Sequence, residues 1–384
     1  MKTDLNVLFV NPGGAAYGSE RSMLVLLRGR QFEAEVVCPG GGALERELQQ
    51  LGVKVHPLEF GKYSVRQNPM WHIGFYRRFR RILKASKPDV VVINLGGNTP
   101  LVTLAAVRAG IPIIRLSRFE FKPPTRWLDR WCWLKAKVII CPSELVRQQV
   151  VSWAPRHFHS RVHHLYDPHV HVDISGSQKE IIKNELKLHG VKTIGYVGRL
   201  HPKKRIETLI RAVVEIRSRG GNVRLLVIGG HDGSAAGAAY ERQLRDSTTE
   251  LAANDAVQFL GYRNDVPVVM AACDVIVLPS ETESLGMVLL EAWSLKVPTV
   301  ASDVAGCREV TLASGGGLLC PVGDHRAMAE LIWDLIMRPE LSRKLGESGQ
   351  AWVKANCDSR VYGGRFSTLL DSVRKHSRSD SHAN

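Results

Sequence analysis

The chain has no run approaching the ~18 consecutive apolar residues that a membrane-spanning helix needs. Its seven cysteines (Cys38, Cys132, Cys141, Cys273, Cys307, Cys320 and Cys357) are scattered. No C-x-x-C pair or histidine cluster accompanies them, which disfavours a disulfide framework or a cysteine metal site and points to a reduced, cytoplasmic compartment. There is no D-x-D pair to hold a divalent ion. No G-x-G-x-x-G follows the first apolar run, and the second run ends at Cys38-Pro39-Gly40 instead of an acidic residue, so a nicotinamide dinucleotide site is disfavoured. No basic-then-apolar leader is expected, because the strand-like Leu5–Val10 arrives almost at once. Acidic residues are the scarce charge: the chain is formally +15 at pH 7.

What is present bounds the fold. At 384 residues, 44% of them hydrophobic, the chain exceeds one ordinary core, and two domains are expected. Residues 1–190 carry 28 Lys and Arg against 15 Asp and Glu, a net +13, whereas residues 191–384 carry 24 against 22. The basic first half implies an anionic surface or ligand there.

Short β-rich runs alternate with helix-length segments. The spacing predicts strands at Leu5–Val10, Glu35–Cys38, Val53–Pro57, Val90–Ile93, Pro112–Leu116, Val138–Cys141 and Val162–Leu165, with helices at Ser22–Leu27, Ala43–Leu51, Trp71–Ala85, Pro100–Ala109 and Ser143–Trp153 between them. Tyr166–Gly190 breaks the pattern and supplies a linker, placed at 171–190. Alternation restarts with Thr193–Val197, Leu225–Ile228, Val257–Leu260, Val275–Leu278 and Thr299–Ala301. This is an α/β chain of two Rossmann-like halves with parallel, doubly wound sheets. The expected domains are residues 1–170 and 191–360. A C-terminal helix and polar tail at 361–384 follow, with Lys375–Asn384 frayed. Ligands in such sheets bind at the carboxyl ends of the strands, and two facing sheets leave a cleft.

The chemistry concentrates at strand ends. Val275–Leu278 runs into Pro279-Ser280-Glu281-Thr282-Glu283-Ser284-Leu285-Gly286, and apolar residues at helical spacing follow (Met287, Leu290, Trp293). A helix start offers backbone N–H groups to a phosphate, while Glu283 in the loop and Glu291 on the helix can accept hydrogen bonds from sugar hydroxyls. One pocket with both suggests a sugar nucleotide. The same residues admit a structural account, since Ser280-x-x-Glu283 fits a capping box and Glu291 a solvated helix position. After the first strand, Asn11-Pro12-Gly13-Gly14 lets backbone approach a ligand closely. The second half opens with Gly198-Arg199-Leu200-His201-Pro202-Lys203-Lys204, whose Arg199 and Lys204 can converge on one anion.

Together these segments resemble glycosyltransferase family 4. The similarity lies in Gly198-Arg199-Leu200-x-x-x-Lys204, Val257-x-Phe259-x-Gly261, Pro279-Ser280-x-x-Glu283-x7-Glu291-Ala292 and Pro298-x-Val300-Ala301-Ser302. It is strong over about residues 193–335 and weaker over 1–165, where it rests on the glycine loop and Gly18-Ser19-Glu20-Arg21. The resemblance implies a retaining, metal-independent GT-B enzyme: two Rossmann-like domains facing each other across a cleft, with no cofactor beyond a UDP- or GDP-sugar donor. It implies that Arg199 and Lys204 hold the donor diphosphate, Glu283 the sugar hydroxyls and Glu291 the ribose. The backbone of Leu285, Gly286, Met287 and Val288 would meet phosphate or sugar, Tyr262 the base, and Gly13 and Gly14 the diphosphate from the first domain.

Two departures stand out. Arg205 occupies a position where the family usually has glycine, which predicts a different local turn. In Pro112–Glu120, Arg118 stands where many relatives place an active-site histidine; it is grouped here with the catalytic residues although arginine exchanges no proton near neutral pH. His72, His157, His163 and His164 are the alternative imidazoles. The segment Trp71–Lys84 mixes arginines and aromatics on an amphipathic pattern, with Trp127, Trp131 and Trp133 among further basic residues. It reads either as an ordinary packed helix or as a contact to an anionic membrane at the inner face of the cytoplasmic membrane. The acceptor implied is a glycan or lipid-linked molecule of the cell envelope. A sugar-nucleotide epimerase of the same fold and a non-catalytic basic binding protein are the rival readings. No recognised nucleic-acid motif is present, so no nucleic-acid partner is expected.

Overall fold

In a computed structural model, residues 5–14, 18–61, 69–94, 99–118, 123–231 and 233–381 are described. The chain forms two compact units, residues 1–168 with 359–384, and residues 169–358. Unit 1 holds strands β1 (Asn6–Val10), β2 (Glu33–Cys38), β3 (Lys54–Pro57), β4 (Val90–Ile93), β5 (Ile113–Leu116), β6 (Val138–Cys141) and β7 (Val162–His164). Unit 2 holds β8 (Lys192–Val197), β9 (Val223–Ile228), β10 (Val257–Gly261), β11 (Val275–Leu278), β12 (Thr299–Ser302) and β13 (Gly317–Cys320).

Both sheets are parallel, in the orders β3-β2-β1-β4-β5-β6-β7 and β10-β9-β8-β11-β12-β13. The central strands are β-branched and buried on both faces, as the VVVI of β4 and the VIVL of β11 are. Strand order reverses between β1 and β4 in unit 1 and between β8 and β11 in unit 2. Loops leave such a pair in opposite directions, opening a crevice at the carboxyl ends.

Four readings are corrected. The expected linker 171–190 belongs to unit 2, where the helix Gly176–Glu185 begins with a full capping box from Ser175 and Gln178 and buries Ile182. Its Ser, Gly and His content resembles a linker because one apolar face is enough to dock it. Unit 2 therefore starts at His169, not at 191. The helix Trp127–Leu134 and the strand β13 add to the expected elements; the former carries tryptophans at spacings that hide its single buried residue, Cys132. The last helix runs Ser359–Ser381, so the tail expected to fray is helical as far as Ser381, and residues 382–384 lie outside the described residues.

That last helix belongs to unit 1. Tyr362, Phe366, Leu370 and Val373 recur at helical spacing and join the core of β1, β2 and the helix Gly18–Arg28. The Phe366 ring lies 6.3 Å from Phe9 and 5.9 Å from Phe32. Removing so central a ring leaves a cavity, so Phe366→Ala should cost about 3–5 kcal/mol in urea denaturation.

Where the chain enters and leaves unit 2, His169 bridges Asp358 in parallel register, and its N–H donates to the Cys357 carbonyl at 2.7 Å. Burial, with the neighbouring His171 adding to it, pushes the His169 imidazole down to about 4. In the unfolded chain this group titrates near its ordinary value of about 6.5. Between these values the unfolded chain takes up a proton that the folded one refuses. The contribution of neutral His169 is therefore complete above about pH 6.5 and is lost as pH falls toward 4. The melting temperature should fall through that window, and His169→Phe should make the fall shallower.

Candidate functional site

The reversal between β8 and β11 brings two sequence-distant loops together. From β8, the buried Tyr196 donates its hydroxyl to the Arg199 carbonyl at 2.9 Å, holding the turn that carries Arg199. His201 Nδ1 accepts the Lys203 N–H at 3.2 Å and starts a 3-10 turn, Pro202–Lys204. Lys204 leaves this turn and pairs through Nζ with Glu283 Oε1 of the β11 loop. Ser280 Oγ donates to the same carboxylate oxygen at 2.8 Å, and Glu281 N–H donates to the Lys203 carbonyl at 2.9 Å. The two side chains are 25% and 14% exposed, so the pair is partly desolvated yet open to a ligand.

Arg205 adopts φ +52°, ψ +39°, in the left-handed region. Arginine here takes a conformation that glycine adopts freely, at a cost of about 1–2 kcal/mol. It caps the helix Ile206–Ser218, with Glu281 and Glu207 each 3.9 Å from its guanidinium.

The β11 loop ends at Gly286, whose φ of +83° demands glycine, and the helix Met287–Ser294 begins there. The Ser280–Glu283 capping box is thereby excluded, because the helix starts well past Glu283. Leu285 and Gly286 are buried, Met287 and Val288 half-buried, and Glu291 lies half-buried one turn into the helix. The loop rests on the start of the helix Ala305–Ser314. A Cβ on Gly306 would lie 2.3 Å from the Glu283 carbonyl and 2.8 Å from the Leu285 nitrogen. Below it, burial and the Glu283 carboxylate push the Cys307 thiol well up, so the floor stays uncharged. Gly306 and Cys307 were not singled out in the sequence; the only local signal is a glycine shortly after Pro298-x-Val300-Ala301-Ser302.

Tyr262 follows β10 and is 67% exposed. Its hydroxyl donates to the His231 carbonyl at 2.8 Å, and its ring lies against Gly230. Backbone bonds from Gly229 N to the Gly261 carbonyl (2.8 Å) and from Leu200 N to the Gly230 carbonyl (3.0 Å) tie this loop to the one bearing Arg199.

In unit 1, Gly13 and Gly14 follow β1; residues 15–17 of that loop lie outside the described residues. The Gly13 carbonyl accepts from Asn11 Nδ2 at 2.7 Å, and the Gly14 carbonyl from Leu44 N at 3.1 Å. Arg118 does not stand as an exposed functional group. Its side chain is 4% exposed, ion-paired with Asp167 and donating through Nε to Asn94 Oδ1 at 2.9 Å. Asn94 in turn donates to Asn11 Oδ1 at 2.7 Å, and Arg118 also donates to the Tyr362 hydroxyl oxygen. The geometry is that of a cross-link between the ends of β1, β4 and β5. The alternative imidazoles are placed elsewhere: His163 and His164 in β7, His157 in the 3-10 helix Arg156–Arg161, and His72 on the helix Pro69–Ser86. Among the described residues no group of three or more His, Cys, Asp or Glu is arranged to hold a metal ion, and no helix is long and apolar enough to cross a membrane.

The family profile described as "Glycosyl transferases group 1" matches residues 177–352, and that described as "Glycosyl transferase 4-like domain" matches residues 21–164. The chain belongs to glycosyltransferase family 4. Among the relatives of this family-4 chain, a D-inositol 3-phosphate glycosyltransferase of Stackebrandtia nassauensis is 35% identical over 159 residues, 39% of this chain and 35% of that protein. The capsular polysaccharide biosynthesis glycosyltransferase CapM of Staphylococcus aureus is 30% identical over 185 residues, 48% of this chain and 47% of CapM. These matches span less than half the length of either relative. Anabaena HepE, solved in complex with UDP and glucose, superposes with a TM-score of 0.85 at 20% identity, covering 96% of this chain and all of HepE. WaaG, involved in lipopolysaccharide biosynthesis, gives 0.66 at 15% identity, covering 95% and 99% of the two chains. The fold is therefore GT-B.

Because Gly306 touches the Glu283–Leu285 backbone, Gly306→Ala should destabilise unit 2 by about 1–3 kcal/mol through overpacking. Gly364, on a helix face with nothing within 4 Å of its would-be Cβ, is the control. Gly364→Ala should be neutral or stabilise by up to about 1 kcal/mol in the same calorimetric comparison.

Proposed function

We propose that the protein is a retaining glycosyltransferase. It moves a sugar from a UDP- or GDP-linked donor to a glycan or lipid-linked acceptor in cell-envelope polysaccharide or glycolipid synthesis. The observation that carries this reading is the Lys204–Glu283 pair at the strand reversal of unit 2, steadied by Ser280 and flanked by Arg199 and a helix start. The reading is supported by the UDP and UDP-glucose complexes of HepE and by the glycolipid and capsular roles in the names of the relatives.

Arg199 and Lys204 hold the donor diphosphate, with the N–H groups at the start of the helix Met287–Ser294 facing the same charge. Glu283 accepts hydrogen bonds from donor hydroxyls and Glu291 from the ribose, while Tyr262 lies beside the base. The bond between the anomeric carbon and the diphosphate oxygen loosens first. The acceptor oxygen then bonds the same face of that carbon, and its proton passes to the departing phosphate oxygen. Charge developing on the diphosphate is met by two fixed cations without a metal ion, so stabilisation is already in place at the transition state. Arg118 acts at a distance, by holding the ends of β1, β4 and β5 in position.

The test is a thermal-shift series with UDP-, GDP- and ADP-sugars in excess chelator, repeated on Glu283→Gln and Arg199→Ala. A donor at about a hundred times its Kd stabilises by about 2.7 kcal/mol. One nucleotide class should raise the melting temperature, and both substitutions should shrink the rise tenfold or more in donor concentration. A folded protein that shifts with none of the donors refutes the reading.

A further inference from the structure

Three consecutive residues join the loop after β8 to the loop after β11. The Lys203 carbonyl accepts the Glu281 N–H at 2.9 Å, the Lys204 ammonium pairs with Glu283, and Arg205 Nε lies 3.9 Å from Glu281 Oε2. Only the third link uses a residue whose backbone is strained.

Among the described residues, five other than glycine have positive φ. Lys87, Lys187, Ala252 and Lys296 each follow the end of an α-helix, where a left-handed residue commonly closes the last turn. Arg205 instead stands at the N-cap of the helix Ile206–Ser218 and joins it to the turn Pro202–Lys204. An N-cap residue is ordinarily extended and offers a side-chain oxygen to the first turn. Arginine has no such oxygen, and no side-chain cap bond is made here. Helix capping therefore gives no reason for arginine at this place.

Surface ion pairing gives none either. The Arg205 and Glu281 side chains are 41% and 44% exposed, and both acids stand 3.9 Å from the guanidinium, beyond hydrogen-bond reach. Pairs this open to water add little to stability. What the guanidinium has is position. On the helix side it meets Glu207, which is fixed by the buried Tyr240; that hydroxyl donates to Glu207 and accepts the Ile206 N–H at 3.0 Å. A second neighbour is the loop after β13, where a Cβ on Gly323 would lie 3.5 Å from Arg205 Nη2. The third is Glu281, two residues before Glu283 in the loop that ends at Gly286. A planar group standing between an anchored carboxylate and this loop limits how far Glu281, and Glu283 with it, can shift. Strain concentrated in one residue beside a ligand loop points to a use in function.

We propose that Arg205 is a positioning residue for the donor's sugar: acting through Glu281, it braces the β11 loop so that Glu283 stands at the sugar hydroxyls. This rests on the donor reading of the Lys204–Glu283 pair given above. Affinities for UDP-glucose, UDP, GDP-mannose and GDP are measured by calorimetric titration, beside melting temperatures, on the native protein, Arg205→Gly, Arg205→Ala and Glu281→Gln. Glycine removes both the guanidinium and the strain, whereas alanine removes the guanidinium alone. Arg205→Gly should melt level with the native protein or up to about 4 °C above it, and Arg205→Ala no higher than native. Both should bind the nucleotide sugar about tenfold more weakly and the bare nucleoside diphosphate less than about twofold more weakly. Arg205→Lys should recover part of the loss. Glu281→Gln should reproduce it, and combining Glu281→Gln with Arg205→Ala should add nothing, because the two act as one pair. Native protein that binds none of the four ligands overturns the donor reading and this inference with it. Native binding left unchanged in Arg205→Gly and Arg205→Ala overturns this inference alone. So do equal losses for nucleotide sugar and bare diphosphate, which mark a direct contact with the diphosphate, and a parallel fall of stability and affinity in Arg205→Gly, which marks a purely structural role.

Discussion

A lysine and a glutamate meet where the strand order of unit 2 reverses, and the loops of that site depend on their meeting. Lys204 sits one turn beyond β8 and Glu283 one loop beyond β11, so the pair closes only if those two strands are neighbours. Partial burial makes the pair consequential in both directions. Removing either partner leaves a poorly solvated charge, while keeping both ties the β8 and β11 loops together. The uncharged Cys307 thiol below and the bare Gly306 beside the loop are consequences of the same close packing.

Unit 1 solves its own strand reversal differently. There the space is filled by amides and one guanidinium, Asn11, Asn94 and Arg118, closed off by Asp167 and Tyr362. Burial pushes the Tyr362 hydroxyl up to about 12, so it remains a neutral partner. Asp167 ion-pairs with the Arg118 guanidinium. This network ties the ends of β1, β4 and β5 together.

The two units also differ in what they show to solvent. The excess of positive charge lies almost wholly in the first half of the chain, and much of it lies on the helix Pro69–Ser86, between a ring-lined core and water. The C-terminal helix closes unit 1 from the far end of the sequence, its phenylalanine packed among rings from residues near the start. Neither feature belongs to the chemistry of unit 2, and both shape how unit 1 holds together and what it meets.

Most of the fold was legible from periodicity, because a parallel sheet buried on both faces writes itself as short β-branched runs separated by helix-length segments. The runs Val90–Ile93, Val138–Cys141 and Val275–Leu278 match the observed strands end to end. The places of Glu283, Glu291, Arg199 and Lys204 beyond the strand ends were legible too, since their spacing from those ends is local. What periodicity could not reach was whatever depends on partners far away in sequence. Lys204 and Glu283 are 79 residues apart, and Arg118 and Asp167 are 49 apart. The helix Gly176–Glu185 looked like a linker because its composition is polar, and only docking of its apolar side makes it part of unit 2. The partners of Arg118, Asn94 and Asp167, could not be read from its own segment. Sequence by itself determined the strands, the helices between them and the residues at their ends. Tertiary structure decided which of those ends meet, because burial, and the pairing that burial forces on charged groups, exists only once distant segments are brought together.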